Sequence, residues 1–144
     1  MAYVNDIVIT LRYEWDMGHR LPLHTGRCRR LHGHRYVVEV SLRGPIQIGI
    51  VPTNGMVEDF GDVKDLTINK IGEWDHRTML WDGDALCQEL TYQLQQEYGI
   101  FRVSFMPTAE NIAEDILLRL HSANSRVVRV RVYETPNCWA EAYK

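Results

Sequence analysis

The residues of this chain that are best suited to chemistry are concentrated in one short stretch. Cys28-Arg29-Arg30-Leu31-His32-Gly33-His34 is followed by an alternating apolar run over 36–42. If the alternation marks a strand, His32 and His34 lie side by side on one face, because side chains two apart share a face. Neutral imidazole nitrogens on a stiff strand suit zinc, so the pair predicts a metal site. The alternative is an ordinary strand start, in which Gly33 permits a close backbone approach.

A third metal ligand must come from elsewhere in the chain. His19 follows the first predicted strand, and antiparallel pairing of that strand with the second would bring it beside His32 and His34. Three protein ligands with a vacant fourth position are typical of a catalytic zinc. Cys28 lies four residues before His32, so a closed structural cage of one thiolate and three imidazoles is the competing interpretation.

Asp75-His76 places a carboxylate next to an imidazole at the end of a predicted helix. Such a pair is what a nearby thiol needs if it is to carry protons, and Cys28 would then act as a base. The alternative is that Asp75 and His76 only terminate the helix.

Glu134 continues a row of valines on the predicted strand 127–134. A carboxylate there either reaches water at the strand end or is a buried acceptor for a ligand. A carboxylate can accept two parallel hydrogen bonds from an amino group and a ring N–H, as on a guanine or a pterin. Glu110 is interpreted as a first-turn acid favoured by the helix dipole, and His24 as a surface residue.

These residues require a scaffold of strands and helices. Apolar alternation and helical periodicity predict strands over 7–15, 34–43, 100–105, 127–134 and 138–143, and helices over 60–73, from Asp82 or Asp84 to Gly99, and from Thr108 onward. Val128, Val130 and Val132 are expected to form an apolar row that shares one face of their strand with Glu134. The order predicts an α+β fold with an antiparallel sheet and helices packed on one face.

Composition limits the class of protein. A chain of 144 residues with 45% hydrophobic content predicts one globular domain over 1–144, without a membrane span or secretory signal. Cytoplasmic localisation and reduced cysteines are expected, and a formal net charge of −3 argues against nucleic acid as the main partner. A small anionic ligand would be bound by a local basic cluster, for which the candidates are Arg20, Arg27, Arg29 and Arg30.

The motifs resemble the 6-pyruvoyl-tetrahydropterin synthase and 6-carboxy-tetrahydropterin synthase family. The resemblance covers nearly the whole chain, in family order. It rests on His19-Arg20-Leu21, Cys28-x-x-x-His32-Gly33-His34, Gly55-Met56-Val57-x-Asp59-Phe60, Asp75-His76, Pro107-Thr108-x-Glu110-Asn111 and Tyr133-Glu134-Thr135.

The resemblance implies a tunnelling fold (T-fold) that assembles into an oligomeric barrel, usually a hexamer with active sites between subunits. It implies roles for particular residues: zinc on His19, His32 and His34, Cys28 as catalytic thiolate, Asp75 and His76 as its proton partners from a neighbouring subunit, and Glu134 as the pterin anchor.

The implied substrate is 7,8-dihydroneopterin triphosphate. The three residues between Cys28 and His32 resemble the 6-carboxy enzymes of queuosine and related deazaguanine pathways, which yield 6-carboxy-5,6,7,8-tetrahydropterin, acetaldehyde and triphosphate. The alternatives are the triphosphate-eliminating 6-pyruvoyl enzyme and a non-catalytic pterin- or purine-binding module with structural zinc. Two features depart from the family pattern, Met17-Gly18 before the first histidine and a longer stretch over 81–106.

Overall fold

The computed structural model describes residues 6–144 as a mixed sheet with helices on one face. The strands are β1 (Ile7–His19), β2 (His32–Gly44), β3 (Arg77–Trp81), β4 (Ile100–Val103), β5 (Val127–Thr135) and β6 (Cys138–Tyr143). The helices are α1 (Phe60–Ile71), α2 (Ala85–Glu89), α3 (Tyr92–Glu97) and α4 (Ala109–Ala123), with single 3-10 turns at Arg27–Arg29 and Gly72–Trp74. The strand order in the sheet is β4-β3-β1-β2-β5-β6.

The core lies between the sheet and the two longer helices. Alternate residues of β1 and β2 point inward, with Trp15 and Tyr36 among those fully buried, and they pack with the apolar stripes of α1 and α4. Asp59 and Thr108 cap these helices by accepting hydrogen bonds from backbone N–H groups of the first turn. The predicted α+β class with helices on one face is confirmed.

The prediction that the sheet is antiparallel throughout is wrong, because the sheet also contains β3, a strand that the sequence pattern did not predict. β3 runs parallel to both β1 and β4, whereas the other pairings are antiparallel. Its five residues are too few for an alternation to stand out. The predicted helix ending at Gly99 is two short helices, because Leu90 is extended and Thr91 caps a new helix. The side-chain amide of Gln95 donates hydrogen bonds to the carbonyl oxygens of Cys87 and Leu90, which connects the two helices across the break.

Two strands differ in detail from their predictions. β1 continues to His19 instead of ending near residue 15, and β2 begins at His32. The apolar row predicted for Val128, Val130 and Val132 is wrong at Val128, since a register shift places Val127 opposite Leu42 and buries it, while Val128 is half-buried. No helix between residues 6 and 144 is long and apolar enough to cross a membrane.

A glycine pair lies near the ends of the first two strands where they meet. Gly18 faces Gly33 across the β1–β2 pair, one step before His19 meets His32. A Cβ at Gly33 would lie 3.1 Å from the Met17 carbonyl oxygen, and one at Gly18 would lie 2.9 Å from Thr78 Oγ1. Gly18 therefore lies where three strands approach closely.

Candidate metal centre and ligand site

Three histidines meet on the inner face where β1 and β2 pair. His19 is the last residue of β1, and its register partner His32 is the first of β2. The ring centroids are 4.6 Å apart for His19 and His32, 5.1 Å for His19 and His34, and 5.0 Å for His32 and His34. One ring nitrogen from each lies within 4.8 Å of the others, which is a spacing that can hold a metal ion. We call this group the histidine cluster.

Backbone carbonyls determine which ring nitrogens are free. The Nδ1 atoms of His19 and His32 lie 2.7 Å and 2.6 Å from the carbonyl oxygens of Pro107 and Arg30. Because a carbonyl oxygen only accepts, each Nδ1 carries the hydrogen and each Nε2 keeps its lone pair. Metal-binding histidines are commonly oriented in this way.

The Nε2 atom of His19 is buried and has no hydrogen-bond partner among the described residues. An orphaned buried acceptor is costly, and a bound cation would satisfy it. Burial, opposed by the bond to Pro107, lowers the pKa of His19 to about 4, and His32 and His34 lower it further. Burial and His32 also lower the pKa of His34. The imidazoles of His19 and His34 are therefore neutral at pH 7. A set of three histidine ligands fits a zinc ion.

Cys28 is a partly exposed free thiol in the Arg27–Arg29 turn. Its carbonyl accepts a hydrogen bond from the backbone N–H of Leu21 at 2.9 Å, which holds the turn against the chain just after His19. Cys28 is not part of the group of atoms within 4.8 Å of one another, so residues 6–144 do not form the four-ligand cage.

Asp75 and His76 form a hydrogen-bonded pair at the start of β3. Asp75 Oδ1 lies 3.0 Å from His76 Nδ1 and accepts the backbone N–H of Asp16 at 2.9 Å. The bond from Asp16 is the largest cause of a lowered pKa at Asp75, and the bond to His76 adds to it. In the described chain, no hydrogen bond joins this pair to Cys28, so the structure does not bring the predicted proton partners to the thiol of the same chain.

The backbone at His76 is strained. His76 has a φ of 61°, the one positive value at a non-glycine residue in the described part of the chain. Its N–H donates to the Asp16 carbonyl at 2.8 Å, and its exposed ring lines a cleft of about 420 Å³ together with His34 and Arg35. Strain of this kind is concentrated at functional sites.

Glu134 lies beside the histidine cluster. A register shift in the β5–β6 pairing leaves it between Tyr133 and Thr135 without a partner, and such bulges redirect side chains. One carboxylate oxygen is 3.9 Å from His19 Nε2. Burial raises the pKa of Glu134, nearby Glu110 raises it further, and His32 lowers it.

Three groups near Glu134 and His19 were not assigned to the site from the sequence. Glu110, interpreted as a first-turn acid, also raises the pKa of Glu134 through its charge. The Pro107 carbonyl orients His19, and no side-chain pattern marks a backbone acceptor. Tyr36 lies two residues after His34 on the same face, its ring centroid 5.6 Å from that of His34, and its buried hydroxyl has no partner among residues 6–144. Burial and Glu134 raise the pKa of Tyr36.

Comparison with known proteins decides the family. The family model described as 6-pyruvoyl tetrahydropterin synthase matches residues 8–144. The chain belongs to this family. A Rickettsia conorii protein named 6-carboxy-5,6,7,8-tetrahydropterin synthase is 40% identical over 143 residues, covering 94% of this chain and 99% of the relative. A Haemophilus influenzae protein of the same name is 31% identical over 136 residues, covering 92% and 96%.

Solved structures of the 6-pyruvoyl tetrahydropterin synthase family share the fold. The Caenorhabditis elegans 6-pyruvoyl tetrahydropterin synthase has a TM-score of 0.71 at 24% identity, covering 100% of this chain and 99% of that one. The Plasmodium vivax 6-pyruvoyl tetrahydropterin synthase has a TM-score of 0.75 at 20% identity, covering 96% and 98%. The predicted T-fold and the resemblance to tetrahydropterin synthases are confirmed, and the chain is an enzyme of this family.

Proposed function

We propose that this protein is a zinc-dependent 6-carboxy-5,6,7,8-tetrahydropterin synthase. It would convert 7,8-dihydroneopterin triphosphate and one water molecule to 6-carboxy-5,6,7,8-tetrahydropterin, acetaldehyde and triphosphate, as in queuosine and related deazaguanine pathways. The observation that carries the proposal is the histidine cluster, whose ligand atoms lie within 4.8 Å of one another, with Glu134 only 3.9 Å from His19. The names of the bacterial relatives support the 6-carboxy reaction.

His19, His32 and His34 would hold the zinc ion. Zinc, when bound, supplies a Lewis acid that polarises the hydroxyl oxygens of the substrate side chain and acidifies the neighbouring C–H bond. The hydrogen bonds from His19 and His32 to backbone carbonyls fix the ring orientations before any ion arrives.

Glu134 would anchor the pterin ring. Its carboxylate is partly desolvated in the free protein, which raises its pKa. The amino group and ring N–H of a pterin are two parallel donors that would replace the lost water. Binding at Glu134 would orient the substrate side chain toward the histidines.

Cys28 would take the proton from the activated carbon of the substrate side chain and later return a proton to the product. Asp75 and His76 would relay protons to this thiol. Since the pair has no hydrogen bond to the Cys28 of its own chain, we infer that it serves a neighbouring subunit in a homohexamer. Light scattering of the purified protein tests this assembly, and a stable active monomer would contradict it.

The central experiment identifies the reaction product. Zinc-loaded protein is incubated with 7,8-dihydroneopterin triphosphate, and the products are identified by mass spectrometry. We expect 6-carboxy-5,6,7,8-tetrahydropterin together with acetaldehyde. A 6-pyruvoyl product would instead identify the triphosphate-eliminating reaction. Tight binding without turnover would identify a non-catalytic pterin- or purine-binding module.

A further inference from the structure

Three arginines on the turn around Cys28 have no carboxylate partner in the described part of the chain. Arg27, Arg29 and Arg30 are exposed, and none forms an ion pair within residues 6–144. Most other arginines in this part of the chain do form ion pairs, namely Arg12, Arg20, Arg35, Arg43, Arg102, Arg119, Arg126, Arg129 and Arg131. We call these three residues the arginine turn. They form a local concentration of unpaired positive charge on a protein whose formal net charge is −3.

The structure separates Arg20 from the arginine turn. Arg20 Nε donates to Asp84 Oδ2 at 2.7 Å, and its Nη2 donates to the other carboxylate oxygen. Asp84 is 1% exposed, so the guanidinium of Arg20 is committed to a buried partner. Of the four arginines that the sequence suggested for binding an anion, the three of the arginine turn are therefore free to do so.

The arginine turn is attached to the metal site at both ends. The backbone N–H of Leu21, two residues after His19, donates to the carbonyl of Cys28 at 2.9 Å. His32 Nδ1 donates to the carbonyl of Arg30 at 2.6 Å. The N–H of Arg30 closes the turn by donating to the carbonyl of Arg27 at 3.0 Å. The three guanidiniums therefore extend from a fixed piece of backbone at the rim of the histidine cluster.

We propose that the arginine turn binds a polyphosphate chain. Guanidinium groups donate two parallel hydrogen bonds to phosphate oxygens, and neighbouring arginines match a run of phosphates better than a single anion. This inference rests on the proposed function, since the triphosphate would be that of the substrate, bound with its pterin at Glu134. The same residues would hold the released inorganic triphosphate.

The test compares two sets of variants that remove equal charge. One carries Arg27→Gln, Arg29→Gln and Arg30→Gln, and the control carries glutamines at the lysines Lys64, Lys70 and Lys144. The probe is inorganic tripolyphosphate, titrated calorimetrically into the metal-loaded protein. Tripolyphosphate also chelates metal ions. The lysine variant retains the histidine cluster, so its titration gives the heat that is unrelated to the arginines. The metal content of each protein is measured before and after the titration.

We expect the arginine variant to bind tripolyphosphate roughly 30-fold more weakly, since exposed charge pairs each contribute a modest factor. Binding by the unmodified protein should weaken as salt is raised, because salt screens exposed charges. The KM for 7,8-dihydroneopterin triphosphate should rise similarly with kcat changed less than about 3-fold, while binding of dihydroneopterin without phosphates stays unchanged. Lysines at the three positions should restore part of the affinity, since they keep the charge but not the paired donors.

Equal tripolyphosphate affinity in the arginine and lysine variants would overturn the proposal. Equal loss of dihydroneopterin and tripolyphosphate binding would also overturn it, because the effect would then be on the whole site. If the unmodified protein binds tripolyphosphate through these arginines but does not turn over the substrate, the polyphosphate site stands and only the proposed function fails.

Discussion

The imidazole of His19 donates its Nδ1 hydrogen to the carbonyl oxygen of Pro107 at 2.7 Å. This bond joins the end of β1 to the residue that precedes the α4 cap Thr108. It leaves Nε2 facing the histidine cluster with a free lone pair, in a position where no described residue satisfies it. The tautomer that a metal requires is thus present before metal binding.

Removing one histidine should abolish metal binding. We expect His32→Ala to weaken zinc affinity by more than about 100-fold, because two ligands from neighbouring strands cannot replace three. Zinc content by elemental analysis and competition with a chromogenic chelator measure this. Chelation of the unmodified protein should also lower its thermal midpoint, since an ion present at about 1,000 times its Kd stabilises by about 4 kcal/mol.

The matched control is His24→Ala, which removes an exposed histidine outside the histidine cluster. It should keep full zinc content and an unchanged thermal midpoint. If both variants keep zinc, the metal is not held by the histidine cluster.

Replacing Cys28 separates a proton carrier from a metal ligand. Cys28→Ala should lower kcat by at least about 100-fold, the usual contribution of a general base, while zinc content and stability remain normal. Turnover and elemental analysis of the same preparation measure both. Cys138→Ala, at another free cysteine, should leave both quantities unchanged. Loss of zinc with Cys28 would instead support the closed cage.

Neutralising Glu134 should weaken pterin binding. In Glu134→Gln one oxygen acceptor becomes a donor amide, so we expect the KM for the substrate to rise between about 10- and 100-fold. Steady-state kinetics and fluorescence titration with a pterin measure the loss. Glu97→Gln, an exposed change on α3, is the control. An unchanged KM in Glu134→Gln would show that Glu134 does not bind the pterin ring.

Asp84 should make stability depend on pH. Its pKa is lowered mainly by the hydrogen bond from Arg20, so the stabilisation is complete above the unfolded carboxyl pKa of about 3.9 and is lost as the pH falls through the lower folded value. Asp84→Asn keeps the cap of α2 but breaks a largely buried ion pair, which should lower the free energy of unfolding by about 2 to 3 kcal/mol at pH 7.

Urea unfolding at pH 7 and at pH 3 measures this difference, which should shrink in acid. Asp82→Asn is the control, since Asp82 pairs with Arg102 at an exposed position and should cost less than about 1 kcal/mol. A difference for Asp84→Asn that is equally large at both pH values would show that the ion pair is not its cause.

The close approach of β1 and β2 should tolerate no side chain at Gly33. The Cβ added by Gly33→Ala would lie 3.1 Å from the Met17 carbonyl oxygen, and a paired backbone cannot easily yield. We expect a loss of about 1 to 3 kcal/mol in unfolding free energy and weaker zinc binding, because His32 and His34 flank the position. Gly44→Ala, where the nearest atom is 3.6 Å away, should be nearly neutral.

The sequence predicted most of the scaffold because its signals are local. Alternation located β1, β2, β5 and β6, and caps with helical periodicity located α1 and α4. The pattern failed at β3 and at the break between α2 and α3, where elements of about five residues show too little periodicity. It also failed at Val128, since a bulge depends on the neighbouring strand.

Residue types and spacing alone determined the donor set of the candidate site, because the two-residue period of a strand is enough to align His32 and His34. The sequence also suggested His19 as the third ligand, but only the tertiary structure decided that its Nε2 is free and that Glu134 lies beside it. These features depend on contacts between distant segments, such as the bond across 88 residues between His19 and Pro107, and local periodicity carries no information about them.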